Sequence, residues 1–234
     1  MKVVLDHSQA EADNIRTFFF KPEIPVQFTA GQYAEWSLPH PHADKRGAKR
    51  WFTISSSPNE PLLSITTKLD AEKGSSFKKR LFQLQPGYEA TLNGPFGDFV
   101  LPKLIQTPLI FVAGGIGITP FHSMLQWLAE TNETRPIKLL YAVRSEDEII
   151  FIDTFEKSGI SPTIIVSEPS PAWGGERGRL DAEKIAGLTQ PTEDALVYIS
   201  GPEGMVQQLA KDLVKTGLDK KQVVTDEFPN YPGI

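Results

Sequence analysis

The chain has 234 residues, 23% of them charged, a net charge of −5 and no cysteine. That length suits one large domain or two of about 100 to 130 residues, and the missing thiols exclude disulfides, cysteine nucleophiles, thiolate-bound zinc and cysteine-ligated iron-sulfur clusters. Redox chemistry in this chain therefore needs a bound organic cofactor. No apolar run approaches the roughly 18 to 20 residues of a membrane span, and the opening MKVVLDHSQAEADN lacks a signal-peptide core, so a cytoplasmic location is expected.

Charge is unevenly spread. Between residues 45 and 80 there are nine basic side chains (Lys45, Arg46, Lys49, Arg50, Lys68, Lys73, Lys78, Lys79, Arg80) against Glu60, Asp70 and Glu72. A local excess of this kind suits a bound polyanion or an acidic protein partner. It is too confined, on an acidic chain, for a nucleic-acid surface.

In chain order, residues 17–20, 33–38, 51–54, 62–68 and 88–92 are short β-like runs separated by turn residues, the rhythm of a barrel or sandwich. The polar loop 39–47 (PHPHADKRG) holds His40 and His42, which a solvent loop explains better than a metal site. Near residues 102–108 the rhythm changes to alternating strands and helices. Strands are expected at 109–113, 138–143, 163–167, 196–200 and 222–225, with helices over the stripe Phe121, Met124, Leu125 and Leu128, around 147–157, and over Val206, Leu209, Ala210 and Leu213. That alternation predicts a parallel sheet whose ligands lie beyond the carboxyl ends of its strands.

Three motifs fall at such places. In residues 111–120, FVAGGIGITP, a strand runs into glycines and then a helix start, which suits close approach to a phosphate; Thr119 reads as the N-cap and Pro120 as the first helical residue. Proline stands where the Rossmann fingerprint has its third glycine. In residues 50–56, RWFTISS, alternation places Arg50, Phe52 and Ile54 on one face and Trp51, Thr53 and Ser55 on the other. An arginine can neutralise a diphosphate and an aromatic ring can cover a planar heterocycle. In residues 198–205, YISGPEGM, another strand turns into a helix.

In this order and spacing the motifs resemble the ferredoxin-NADP reductase family over essentially the whole chain. The resemblance implies a β plus α/β architecture: a six-stranded antiparallel flavin-binding barrel over residues 1–103, then a parallel-sheet nucleotide-binding domain over 104–234. By resemblance Arg50 binds the FAD diphosphate, Phe52 stacks on the isoalloxazine, Thr53 faces flavin N5, and Ser56 completes the motif. Ile65, Thr67 and Lys68 match the strand along the flavin edge, and Gly74, Ser75 and Ser76 the turn that binds FAD phosphate. The G-P-x-G turn appears as Gly94 to Gly97. Gly115, Gly117 and Thr119 match the pyridine-nucleotide loop; Ser200, Gly201 and Pro202 match a turn where the family often has cysteine beside nicotinamide C4. Asp226 to Tyr231 match the terminal aromatic segment, with Phe228 over the flavin. Thr53, Ser200 and Phe228 are thus the expected catalytic positions.

NADP-using members commonly carry arginine after the third strand, where this chain has Glu168, so NADH is favoured over NADPH, with Arg144, Arg177 and Arg179 as possible phosphate partners. The expected activity is hydride uptake from NAD(P)H by FAD, with electrons passed to a separate acceptor: an acidic electron-acceptor protein such as a ferredoxin or flavodoxin, or a small oxidant. A non-catalytic nucleotide-binding or electron-transfer subunit of a larger complex is the alternative.

Overall fold

The computed structural model describes residues 1–41 and 43–228. Its first half contains β1 (Lys2–Ala12), β2 (Ile15–Pro22), β3 (Tyr33–Ser37), β4 (Lys49–Thr53), β5 (Leu63–Lys68), the short helix α1 (Ser76–Leu81) and β6 (Glu89–Phe96). The strands form one antiparallel sheet in the order β4-β3-β6-β1-β2-β5. Its two end strands are drawn together just past β4. The Ser55 amide donates to the Ser64 carbonyl at 2.8 Å, the two hydroxyls lie 2.9 Å apart, and Ser56 Oγ accepts from the Ser64 amide at 3.0 Å. Alternating side chains such as Val3, Leu5, Phe18, Phe20, Trp36 and Leu92 fill the inside, and Phe77 and Leu81 of α1 join them.

Strand β1 is absent from the sequence expectation for a physical reason. Its pairing with β2 shifts register between Leu5 and His7 and again between Ala10 and Ala12, and such irregularities scramble the two-residue alternation that announces a strand.

The second half contains β7 (Leu109–Gly114), α2 (Thr119–Thr131), β8 (Ile137–Val143), α3 (Ile152–Ser158), β9 (Thr163–Val166), β10 (Glu176–Arg177), α4 (Ala182–Thr189), β11 (Leu196–Pro202), α5 (Glu203–Lys215) and β12 (Val223–Phe228). Its parallel sheet has the order β10-β9-β8-β7-β11-β12. Alternation along β7 sends Phe111 and Ala113 toward α2 and α3, and Ile110 and Val112 toward α4 and α5, so both faces are covered. Successive strands run outward from β7 to β10 and then resume at β11 on β7's other side. The order reverses between β7 and β11, which opens a crevice at their carboxyl ends.

Two local expectations are corrected. Thr119 is not the N-cap of α2: a 3-10 turn (Gly115–Ile118) precedes the helix, Ile118 takes the cap position, and Thr119 already has helical angles while its hydroxyl donates back to the Ile116 carbonyl at 3.1 Å. The helical stretch around 147–157 is split into a 3-10 turn (Glu146–Glu148) and α3, because Phe151 adopts a left-handed backbone with φ of 66°.

The halves meet through buried groups. Ser123 Oγ on α2 donates to the Ser56 carbonyl at 2.7 Å, the Tyr198 hydroxyl to the Val100 carbonyl at 2.8 Å, and Arg135 Nη1 to the Pro102 carbonyl at 2.6 Å. Ile15, Ala30 and Phe99 from the first half pack into the same apolar cluster as α2. No helix among the described residues is long and apolar enough to cross a membrane.

Candidate functional site

A cavity of about 480 Å³ lies where β4 and β5 face the crevice of the parallel sheet. Arg50, Trp51, Phe52 and Thr53 line it from β4, and Thr66, Thr67 and Lys68 from β5. Gly74, Ser75 and Lys78 contribute from the approach to α1 and from the helix itself, and Ile116, Thr119 and Phe228 from the second half. The expected division of residues 50–53 into two faces does not separate liners from non-liners. β4 is hydrogen-bonded only to β3 in the sheet, so its free edge looks into the cavity and side chains of both parities flank it.

The barrel wall is strongly cationic. Arg50, only 5% exposed, donates from Nη1 to the carbonyls of Arg46 (2.6 Å) and Gly47 (3.1 Å), and its Nη2 lies 3.6 Å from Asp44 Oδ1. Asp44 also accepts from Arg46 Nη2 at 2.8 Å and from the Ser76 amide at 2.7 Å. Burial pushes the Asp44 carboxyl up, but the Arg46 side chain and the Ser76 and Arg46 amides outweigh it and hold it well below the usual carboxylate range. Lys78 donates to the Lys68 carbonyl at 3.1 Å. Withdrawal from water, followed by the charges of Arg50 and Arg46, pushes its ammonium down to about 8. Lys68 crosses to Glu148 of the second half at 2.5 Å.

The sequence-derived residues divide into several groups. Arg50, Phe52, Thr53, Thr67, Lys68, Gly74, Ser75, Thr119 and Phe228 come together around the cavity. Ser56 is buried with its hydroxyl on the Ser64 amide, and Ile65 lies in the barrel core; neither lines the cavity. The Ser76 amide is taken by Asp44, and its hydroxyl accepts from the Asp44 amide at 2.9 Å and lies 3.0 Å from His40 Nε2.

At the crevice Gly117 has a packing role: a Cβ there would lie 2.2 Å from the Ser200 carbonyl oxygen. The loops after β7 and β11 are pressed backbone to backbone. Gly115 instead faces open space with φ of 52°. Ser200 is fully buried, and its hydroxyl donates to Asp226 Oδ2 at 3.1 Å. Gly201 and Pro202 end β11 in register with Glu227 and Phe228, which carries Phe228 to the cavity. Arg144 and Glu168 form an exposed ion pair at 2.9 Å, away from the cavity lining.

Sequence reasoning did not single out Arg46, Trp51, Thr66, Asp70, Lys73, Lys78 or Ile116 as site residues, yet they line the cavity. The surplus of basic residues at 45–80 was the available signal for three of them. Pro229, Asn230 and Tyr231 of the expected aromatic segment, and His42, lie outside the described residues. Among the described residues no group of three His, Asp or Glu side chains could hold a metal ion.

Residues 111–211 match the family model described as the oxidoreductase NAD-binding domain. The chain superposes on the FAD/NAD-binding domain of nitric oxide dioxygenase from Vibrio cholerae, with a TM-score of 0.84 and 23% identity, covering 97% of this chain and 98% of that one. The chain has the fold of the ferredoxin-NADP reductase family. It is 29% identical to ferredoxin-NADP reductase B of Sorangium cellulosum, over 86% of this chain and 85% of that protein. It is 30% identical to the stachydrine N-demethylase reductase subunit of Rhizobium meliloti, over 95% of this chain but 65% of that protein. The chain spans roughly three-fifths of the length of several curated relatives that it matches.

The donor set fits the cofactor this fold implies. A dinucleotide flavin needs cations and hydroxyls for its diphosphate, aromatic surface for its ring system and a polar contact at the ring edge. The cavity provides Arg46, Arg50 and Ser75, the rings of Phe52, Trp51 and Phe228, and the hydroxyl of Thr53.

Proposed function

We propose that the protein is a flavin-dependent oxidoreductase that takes hydride from NADH or NADPH, with NADH slightly favoured, and passes electrons to a separate acceptor. The observation that carries this reading is a single cavity walled on one side by the β4 and β5 edges and on the other by Ile116, Thr119 and Phe228 at the crevice of the parallel sheet. A flavin and a pyridine nucleotide bound to these two walls would meet inside it. Bound FAD supplies hydride acceptance and the release of electrons onward, so the protein has to supply binding, alignment and a water-poor environment.

Each wall has a separate task in this reading. Arg50 and Arg46 hold the diphosphate, and Asp44 keeps their guanidinium groups in place. Phe52 and Trp51 provide aromatic surface for planar rings. Thr53, 6% exposed, offers its hydroxyl at the ring edge. Phe228 would cover the flavin's opposite face, and the packed loops at Gly117 and Ser200 would form the floor beneath the nicotinamide. No general acid or base is required for hydride transfer itself.

The preference for NADH rests on Glu168. It stands just beyond β9 and occupies Arg144 as its ion-pair partner. A 2′-phosphate approaching there would meet a carboxylate and compete with it for the arginine. The acceptor is taken to be a protein of acidic surface or a small oxidant, in keeping with relatives named as reductase subunits and with the basic segment at 45–80.

The test is anaerobic stopped-flow on the purified protein. A yellow protein whose flavin absorbance is bleached by NADH, and more slowly by NADPH, is the expected result. A colourless protein that takes up no FAD would sink the flavin reading. Faster bleaching by NADPH would sink the Glu168 argument alone.

A further inference from the structure

Positive charge around the cavity is matched unevenly. Arg46 and Arg50 share Asp44, and Lys68 pairs with Glu148. Lys73 is exposed, where water screens it. Lys78 is different. It is half-buried on α1, lines the cavity beside both arginines, and has no carboxylate within ion-pair distance among the described residues. Among the described residues its side chain makes one hydrogen bond, to the Lys68 carbonyl, which leaves two N–H donors for another partner. A cation withdrawn from water and facing two more cations is costly to hold, unless a multiply charged anion enters the space between them.

Building on the flavin reading above, we propose that Lys78 holds the diphosphate of the flavin dinucleotide as the third cation beside Arg46 and Arg50. The family motif at 50–56 supplies one of these three charges; the other two come from the loop before β4 and from α1. The phosphate monoester of FMN carries nearly as much charge as the two singly charged phosphates of FAD, so either anion relieves the penalty on Lys78 and a flavin without phosphate does not.

The same arrangement makes FAD binding pH-dependent. The charged groups facing Lys78 are Arg50 on β4, Arg46 ahead of it with Asp44 behind, Lys68 on β5, and Asp70 and Lys73 on the rim. Without anion the ammonium loses its proton at about 8. A bound diphosphate favours the charged form and raises that value. Above pH 8, therefore, FAD binding must take up a proton. The dissociation constant should be flat below that pH and then rise by up to about tenfold per pH unit.

The experiment titrates flavin-stripped protein with FAD, FMN and riboflavin, followed by flavin fluorescence, between about pH 6.5 and 9.5. For Lys78→Met the expected result at neutral pH is about 30-fold weaker FAD binding, a loss for FMN as well and none for riboflavin, with the pH slope gone. Lys78→Arg, charged throughout, should keep FAD binding within several-fold of the wild type and also lose the slope. A measurement on the unaltered protein guards against misfolding: acetic anhydride should acetylate Lys78 in the flavin-free protein and fail to do so once FAD is bound. Wild-type affinity and slope in Lys78→Met, or equal acetylation with and without FAD, would overturn the proposal. Protein that binds no flavin at all would overturn the flavin reading itself, a separate and recognisable result.

Discussion

The two walls of the cavity are built from different materials. On the barrel side, side chains make the surface: a cluster of cations around Asp44, aromatic rings, and a line of buried hydroxyls that draws the end strands together. On the parallel-sheet side, backbone makes it. The loops after β7 and β11 touch main chain to main chain, and a glycine at 117 permits the contact. The difference teaches where substitutions should act. Changes to barrel side chains should alter which ligand binds and how tightly, whereas changes in the crevice should alter whether the wall forms at all.

Gly117→Ala tests this most severely. The added methyl would lie 2.2 Å from the Ser200 carbonyl oxygen and 2.6 Å from Gly201 Cα, both main-chain atoms that cannot swing aside. A destabilisation of about 3 kcal/mol is expected in chemical denaturation, with pyridine-nucleotide binding lost before flavin is released. Gly115→Ala, which meets open space and suffers only from its φ of 52°, should cost about 1 kcal/mol. If the two substitutions cost the same, the crevice wall is not held by backbone contact.

The barrel counterpart is Ser55→Ala. Ser55 is fully buried, and its hydroxyl lies 2.9 Å from that of Ser64 and 3.0 Å from that of Thr66, which bonds onward to Thr17 at 2.8 Å. Removing it leaves two buried hydroxyls short of a partner, at a cost of about 1 to 2 kcal/mol. Thr66 also lines the cavity, so flavin affinity should fall along with thermal stability. Stability lost with flavin affinity unchanged would separate the seam from the site.

How much of this was legible in the sequence follows from the same division. Five of the six strands of the parallel sheet announced themselves, because strands buried on both faces, such as β7, are continuous apolar runs, whereas the two-residue β10 did not. The barrel's Arg50, Phe52 and Thr53 were legible because one motif holds them on one strand. Lys78 was not, since nothing in a run of lysines tells which one folds inward; only the approach of α1 to β4 does. Asp44 was hidden for the same reason, in a loop that reads as solvent until its carboxylate is seen holding two arginines. Gly117 was read as a ligand glycine, and its packing against Ser200 depends on the neighbouring strand's loop, about eighty residues away in sequence. Helices α1 and α4 are short, with few buried positions, so their periodicity is weak.

The last expected effect concerns Asp226, a carboxyl on the parallel-sheet side. Asp226 lies on β12 level with Ser200; burial pushes its carboxyl up to about 6, against the Ser200 hydroxyl, which favours the carboxylate, and with Glu227, which disfavours it. The folded value exceeds the ordinary 3.8, so between about pH 4 and 6 the native state binds more protons than the unfolded chain. Stability should therefore fall as pH rises through that window and stay lowered above it. His122 acts in the opposite sense: burial pushes it down to about 3, so the stability it contributes is present above 6.5 and is lost as pH falls toward 3. The two partly cancel in the wild type. Asp226→Asn removes one of them, and its melting temperature relative to wild type should rise by about 5 to 10 °C on going from pH 4 to pH 7. Ser200→Ala should move the remaining Asp226 transition to higher pH, because the carboxylate loses its donor. A melting-temperature difference for Asp226→Asn that does not change with pH would show that this carboxyl titrates as if it were in water.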